Sequence, residues 1–189
     1  MSVDARREQM LRIGIDLVST QRLEDISIDD VIAEAGVSRA LFYHYFEGKR
    51  DFFIQTVQLA ADAIAEATAP TKNPPVRQLE VAIDGYLGFV SAHSAQYRAV
   101  YQSLYSGDPE IQKIMKTSQE NQERKILAVL SKNVETTDLV RTAVHGWLAF
   151  LISSCLDWLE TGKPSREELR DLCKDVLLAA IVSASKQTS

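Results

Sequence analysis

The chain has 189 residues, 46% of them hydrophobic and 25% charged, with a formal net charge of -5. Such a composition is typical of a globular protein that buries a core without disulfides or metals, and the acidic balance argues against coating nucleic acid through bulk charge. The N-terminus has no apolar signal core, and the longest apolar run, residues 146–152, is too short to span a bilayer. We therefore expect a cytoplasmic protein that does not enter a membrane.

Apolar residues recur at helical spacing from the start of the chain, and no segment alternates as a half-buried strand would. The first helix is predicted over about residues 5–20. Ser27 begins a second helix with a capping-box pattern. Gly36 breaks that helix, and Ser38 caps a short third one. A fourth helix is predicted from about residue 48 towards residue 69.

The turn Asn73-Pro74-Pro75 is the clearest punctuation in the chain. Five more helices are predicted after it, which makes the fold all-α with about nine helices. Their ends are marked by capping and breaking residues. These are His93-Ser94-Ala95, Asp108 with Pro109, Thr136 or Thr137, Gly162 with Pro164, and Ser165.

Residues 28–46 read as two short helices joined by a tight turn, in which Gly36 takes the left-handed conformation. Val31, Val37, Phe42 and Phe46 are spaced to form a small core beneath them. The remaining side chains offer a guanidinium, hydroxyls, an imidazole and small apolar groups, which suit contacts to DNA. This predicted edge consists of Ser38, Arg39, Ala40, Leu41, Tyr43 and His44.

The motif Ala35-Gly36-Val37-Ser38, followed by Phe42-Tyr43-His44-Tyr45-Phe46 and then Lys49, resembles the DNA-binding region of the TetR family of bacterial regulators. The resemblance covers about the first sixty residues. It implies that Tyr43 and Lys49 clamp phosphates, and that His44 contacts a phosphate or a base edge. It also places Ser38, Arg39 and Ala40 near base edges and Ser27 at a phosphate.

Three features depart from the family pattern. Arg22 and Ile26 stand where glycine and threonine are usual, and Ile32 stands where a small residue is usual. Leu41 replaces a common threonine and is expected to meet a thymine methyl group instead of hydrogen-bonding.

The net charge of the N-terminal 55 residues is unusual for a DNA-binding region. Residues 1–55 carry seven Lys/Arg and ten Asp/Glu, a local net charge of 7 − 10 = −3. The affinity for DNA is then expected to depend on a few specific contacts, which dimerisation doubles, and to vary only weakly with salt concentration.

The part of the chain after the DNA-binding region implies a helical ligand-binding and dimerisation domain. We predict a DNA-binding domain over 1–50, a connecting helix over 51–72, and an effector-binding and dimerisation domain over 73–189. The helix from about residue 137 to 160 is apolar on two sides, which suggests that one side faces a second subunit. The predicted interface residues are Leu139, Ala143, Leu151, Trp158, Val176, Ala180 and Ala184.

Aromatic residues concentrate in the middle of the chain. Side chains of this kind at helical spacing either form plain core or line an effector cavity, and the sequence leaves both interpretations open. The candidate pocket residues are Tyr86, Phe89, Tyr97, Tyr101, Tyr105, Trp147 and Phe150.

No nucleophile elbow, glycine-rich phosphate loop or metal-ligand spacing is present, and Cys155 and Cys173 read as small buried hydrophobes. We therefore expect neither an enzyme nor a cofactor or metal site. The predicted function is a homodimeric repressor that binds a palindromic operator in double-stranded DNA and is released by an unknown small molecule. The alternative is a helical ligand-binding or interaction protein with a weakened DNA-binding head.

Overall fold

The structure is a computed structural model that describes residues 3–17, 25–102 and 107–186. These residues form nine α-helices and no strand, which confirms the predicted all-α fold. Residues 18–20, at the end of the predicted first helix, and Arg22 lie outside the described residues. The helices are α1 (Val3–Leu17), α2 (Ile28–Ala35), α3 (Arg39–Tyr45), α4 (Lys49–Ala67), α5 (Pro75–Ala92), α6 (Ser94–Gln102), α7 (Pro109–Leu130), α8 (Asp138–Thr161) and α9 (Arg166–Lys186).

The helix ends follow from local side-chain chemistry. Ser27 and Asp30 form the reciprocal capping box at the start of α2, and Gly36 ends that helix with φ 61 in the left-handed region. Thr137 caps α8 through the amide of Val140, and Gly162 ends it with φ 67. These predicted caps are confirmed.

The chain divides into two compact units. The first comprises the described residues of Met1–Asp62 together with His93–Met115, and the second those of Ala63–Ala92 and Lys116–Ser189. The helices α4 and α7 each contribute residues to both units.

The core of the first unit is aromatic. Phe42, Phe46, Phe52 and Phe53 are at most 1% exposed, and the ring centroids of Phe46 and Phe52 lie 5.0 Å apart. Gly14 makes room for this cluster, because a Cβ atom at that position would lie 2.5 Å from Cζ of Phe52. The aromatic core therefore fixes α3 against α1 and the first turns of α4.

In the second unit, α8 packs against α9 and α5. Trp147 Nε1 donates to the carbonyl of Cys173 at 2.7 Å, which ties α8 to α9. Cys155 and Cys173 are not joined in a disulfide and are fully buried, as predicted from the sequence. Gly85 of α5 lies against the end of α4 so closely that a Cβ atom there would overlap the carbonyl oxygen of Ala67.

Within the described part of the chain, α8 is the one helix that is long and apolar enough to cross a membrane by length and composition. It carries Val144, Leu148 and Cys155 in the core of the second unit, at most 5% exposed. Packing within the protein accounts for part of its apolar character, and this one helix does not by itself indicate a membrane protein.

Candidate functional site

The third helix presents a polar edge on an apolar anchor. Ser38 Oγ accepts from the amide of Leu41 at 3.2 Å and so caps α3. Phe42 is fully buried beneath the helix, whereas the neighbouring Tyr43 is 48% exposed. Leu41 is half-buried, and the other members of the predicted edge are exposed: Ser38, Arg39, Ala40, Tyr43 and His44.

Arg39, the first residue of α3, forms a salt bridge with Asp29 of α2. Both side chains are mostly exposed to solvent. The hydrogen bond to Asp29 raises the pKa of Arg39 above its ordinary value. The salt bridge therefore holds the guanidinium beside the turn between the two helices. No sequence motif predicts this pairing.

Ser27 is half-buried and fully used by its cap. Its amide and its hydroxyl both donate to Asp30 Oδ2 at 2.7 Å, and its Oγ accepts from the amide of Asp30. These hydrogen bonds hold the pKa of Asp30 below its ordinary value. While the cap is formed, Ser27 has no further donor for a phosphate.

Two cations begin α4. Lys49 is half-buried, with Nζ 5.8 Å from the ring centroid of Phe53. Arg50 donates through Nε and Nη2 to Asp108 at 2.8 and 2.9 Å, and Nη2 also reaches Glu110 at 3.3 Å. Although Arg50 lies beside the candidate phosphate contacts in sequence, its charge is neutralised within the first unit.

The second unit contains a cavity that encloses roughly 570 Å³ of space free of protein atoms, part of it open to solvent. Leu79, Ile83 and Leu151 are among its apolar walls. Thr68, Gln122 and Lys125 line it as polar groups that sequence reasoning missed, because only tertiary packing brings them together.

The predicted pocket residues fall in different places. Tyr86 and Trp147 line this cavity, whereas Phe89 and Phe150 are half-buried and do not line it. Tyr97 and Tyr101 belong to the first unit, where their ring centroids lie 4.8 Å apart. Tyr105 lies outside the described residues.

The predicted interface residues also differ in exposure. Leu151 and Ala184 are 3% and 4% exposed, so they have almost no surface to give to a second copy. Leu139 is 40% exposed. The other four, Ala143, Trp158, Val176 and Ala180, are half-buried.

A capped helix, a left-handed glycine turn and a second capped helix with a polar outer edge define a helix-turn-helix DNA-binding protein. Family models match both parts of the chain: residues 15–56 match "Bacterial regulatory proteins, tetR family", and residues 75–180 match "Tetracyclin repressor-like, C-terminal domain". The chain belongs to the TetR family and is a DNA-binding transcriptional regulator.

Curated relatives agree with this assignment. The transcriptional activator FasR of Mycolicibacterium smegmatis is 21% identical over 85% of this chain and 75% of its own length. The transcriptional regulator EthR of Mycobacterium tuberculosis is 30% identical over 52% of this chain and 48% of its own, so the chain spans about half of EthR. These relatives are regulators, in agreement with the expectation of a protein that is not an enzyme.

Solved structures show the same fold. A tetR-family transcriptional regulator from Streptomyces coelicolor has a TM-score of 0.88 and 25% identity, covering 99% of this chain and 85% of its own. A transcriptional regulator from Rhodococcus sp. RHA1 has a TM-score of 0.79 and 21% identity, covering 95% of this chain and 97% of its own. Together with the family models, these comparisons favour a transcriptional regulator over an interaction protein with a weakened DNA-binding head.

Proposed function

We propose that the protein is a homodimeric repressor that acts in the cytoplasm, binds a palindromic operator and is released from it by a small molecule. The observation that carries this proposal is the exposed edge of α3, held outward by the fully buried Phe42. In the proposed division of the chain, residues 1–50 bind DNA, 51–72 connect, and 73–189 bind the effector and dimerise.

The exposed edge supplies the contacts that such a role needs. Arg39 brings a guanidinium to the start of the helix, where it reaches guanine edges or phosphates. Tyr43 and His44 bring a hydroxyl and an imidazole to the same surface, and Ala40 and Leu41 offer apolar contacts to thymine methyl groups. Lys49 at the start of α4 is placed for a phosphate, because the helix dipole there already favours an anion. Ser27 contacts a phosphate only if the phosphate replaces Asp30 as the acceptor of its hydrogen bonds.

Dimerisation is proposed through α8 and α9. Exposed apolar side chains on these helices support this surface: Leu139, Leu172 and Val182 are 40%, 49% and 53% exposed. Two helices from each subunit would form a four-helix interface about a two-fold axis. We therefore assign Leu172 and Val182 to the interface in place of the buried Leu151 and Ala184.

Release by an effector is proposed to occur through the cavity of the second unit. A ligand that fits a conformation with unsuitably spaced recognition helices would shift the population away from DNA. FasR is named an activator, so the direction of control needs a direct test. A reporter driven by the protein's own upstream DNA should give higher expression when the gene is deleted.

Gel shift of the purified protein on the DNA upstream of its gene tests the proposal. Arg39→Ala with Tyr43→Ala should weaken specific binding at least about 100-fold, since each side chain acts in both subunits and a good base contact contributes about 1–3 kcal/mol. The exposed Lys132→Ala is the matched control and should bind as the wild type does. Equal binding by the double variant would overturn the site assignment.

The dimer needs its own measurement. Native mass spectrometry should show a dimer for the wild type and a folded monomer for Leu172→Glu with Val182→Glu. The two introduced carboxylates would be buried in the proposed interface without a partner of opposite charge. An unchanged dimer mass for that variant would place the interface elsewhere.

A further inference from the structure

The cavity of the second unit is polar at one place. Most of its lining is apolar, and no Asp or Glu contributes to it. Its polar side chains outside the aromatic residues are Thr68, Gln78, Gln122 and Lys125. The side-chain amide of Gln78 already has a partner outside the cavity lining, because its Nε2 donates to the carbonyl of Asn73 at 2.6 Å. The other three form a connected cluster.

Gln122 is the unusual member of this cluster. It is 8% exposed, and its Oε1 lies 2.9 Å from the hydroxyl of Thr68, whose single hydrogen is shared with the carbonyl of Ile64 at 2.8 Å. Its Nε2 is buried without a hydrogen-bond partner, the single such side-chain atom among the described residues. Buried amide groups in native proteins are nearly always paired, so an unpaired donor at a cavity wall calls for an acceptor.

Lys125 adds a charge beside this donor. Its Nζ donates to the carbonyl of Ala65 at 2.6 Å and to the Thr68 hydroxyl at 3.1 Å. Both acceptors are neutral, and no carboxylate of the described residues forms an ion pair with it. Partial burial lowers the pKa of Lys125 below its ordinary value. An anion in the cavity would offset this loss of solvation and accept the remaining ammonium hydrogen.

From this cluster we infer that the effector is an amphipathic carboxylate, an apolar molecule whose carboxylate accepts hydrogen bonds from Gln122 Nε2 and Lys125 Nζ. This inference rests on the proposed effector role of the cavity. The apolar part lies against Leu79, Ile83 and Leu151, which are at most 4% exposed. A cationic ligand is disfavoured, because the cavity offers a positive charge and no acidic residue to meet it.

Isothermal titration of the intact protein with decanoic acid, decanol and decylamine tests the head group at constant chain length. Decanoate should bind at least about tenfold more tightly than decanol, a difference of about 1.4 kcal/mol, and decylamine more weakly than both. Lys125→Met and Gln122→Leu should each lower decanoate affinity roughly tenfold and leave decanol affinity within about twofold. Lys132→Met, an exposed lysine outside the cavity lining, should change neither.

Circular dichroism and thermal melting will show that the variants are folded. Equal or tighter binding of decanol or decylamine, no binding of decanoate, or unchanged decanoate affinity in both cavity variants would overturn the inference. Gel shifts with the same three probes separate it from the proposed function. DNA release by decylamine alone would contradict the inferred carboxylate effector and support control of DNA binding by an effector. Decanoate that binds without releasing DNA would support the carboxylate site and contradict effector control.

Discussion

The guanidinium of Arg39, on the exposed edge of α3, forms a salt bridge with the carboxylate of Asp29 across the helix-turn-helix. This pair is exposed, so it adds little to stability. Its consequence is electrostatic, because it places a negative charge beside the side chain best suited to contact DNA.

Replacing Asp29 with Asn should therefore strengthen DNA binding. The substitution removes a charge that competes with phosphate and frees the guanidinium, and we expect roughly threefold to tenfold tighter binding in low salt. Glu34→Gln, at an exposed position of the same helix, makes the same charge change as a control and should have a smaller effect. Fluorescence anisotropy with a labelled operator measures both. Weaker binding by Asp29→Asn would show that Asp29 orients Arg39 for a base.

Salt dependence should be shallow for a DNA-binding protein. Arg50 is held by two carboxylates, those of Asp108 and Glu110. We therefore count Arg39, once released from Asp29, and Lys49 as the main phosphate contacts from the motif. Two such contacts in each of two subunits predict a slope of about −4 in log K against log salt concentration. Anisotropy titrations over a range of potassium chloride concentrations give this slope. A value near −10 would mean that many more phosphates are contacted than this edge provides.

Gly14→Ala should destabilise the first unit. The added methyl group would overlap the buried ring of Phe52, which packs against the rings of Phe46 and Phe53. Overpacking of this kind costs about 1–3 kcal/mol, and chemical denaturation measures it. Gly48→Ala is the control, because a Cβ atom there meets nothing within 4 Å. Equal midpoints for the two variants would disprove tight packing at Gly14.

The cysteines should be inert in the folded protein. Both are fully buried, and burial raises the pKa of Cys173 to about 11. Since the thiolate is the reactive form, only ~0.1% of Cys173 is reactive at pH 8. Ellman's reagent should find no thiol in native protein and two in guanidinium chloride. Rapid native reaction that is lost in Cys173→Ala would contradict this.

Acid should destabilise the protein through its capping carboxylates. Hydrogen bonds from Ser27 and Ser165 lower the pKa values of Asp30 and Glu168 in the folded state. Their stabilisation is complete above the unfolded-state pKa of about 4 and is lost as pH falls through the lower folded value. Urea midpoints from pH 7 down to pH 2 should therefore fall less steeply for Asp30→Asn with Glu168→Gln. The control, Glu34→Gln, should follow the wild-type curve.

Sequence reasoning succeeded where the cause is local. Ser27, Gly36, Thr137 and Gly162 mark helix ends through their own side chains or backbone freedom, and each does so in the structure. The outward edge of α3 likewise follows from helical spacing around Phe42, because burying one face of a short helix exposes the other.

Contacts between distant residues had no such signal. Arg50 and Asp108 are separated by 58 positions, and nothing in either local pattern predicts their pairing. Gln122 and Lys125 read as ordinary polar residues of a helix until packing buries them at the cavity. The sequence predicts Leu151 in the dimer interface because α8 is apolar on two sides, and periodicity does not tell which side meets the protein's own core.

The close approach of Gly85 to Ala67 has a mechanical consequence. Two backbones in direct contact have no side chain between them that could yield, so α5 and the last turn of α4 are coupled rigidly at this point. The same helix α5 supplies Leu79, Ile83 and Tyr86 to the cavity wall. A molecule that displaces this wall therefore acts on the end of α4 without any intervening layer to absorb the displacement.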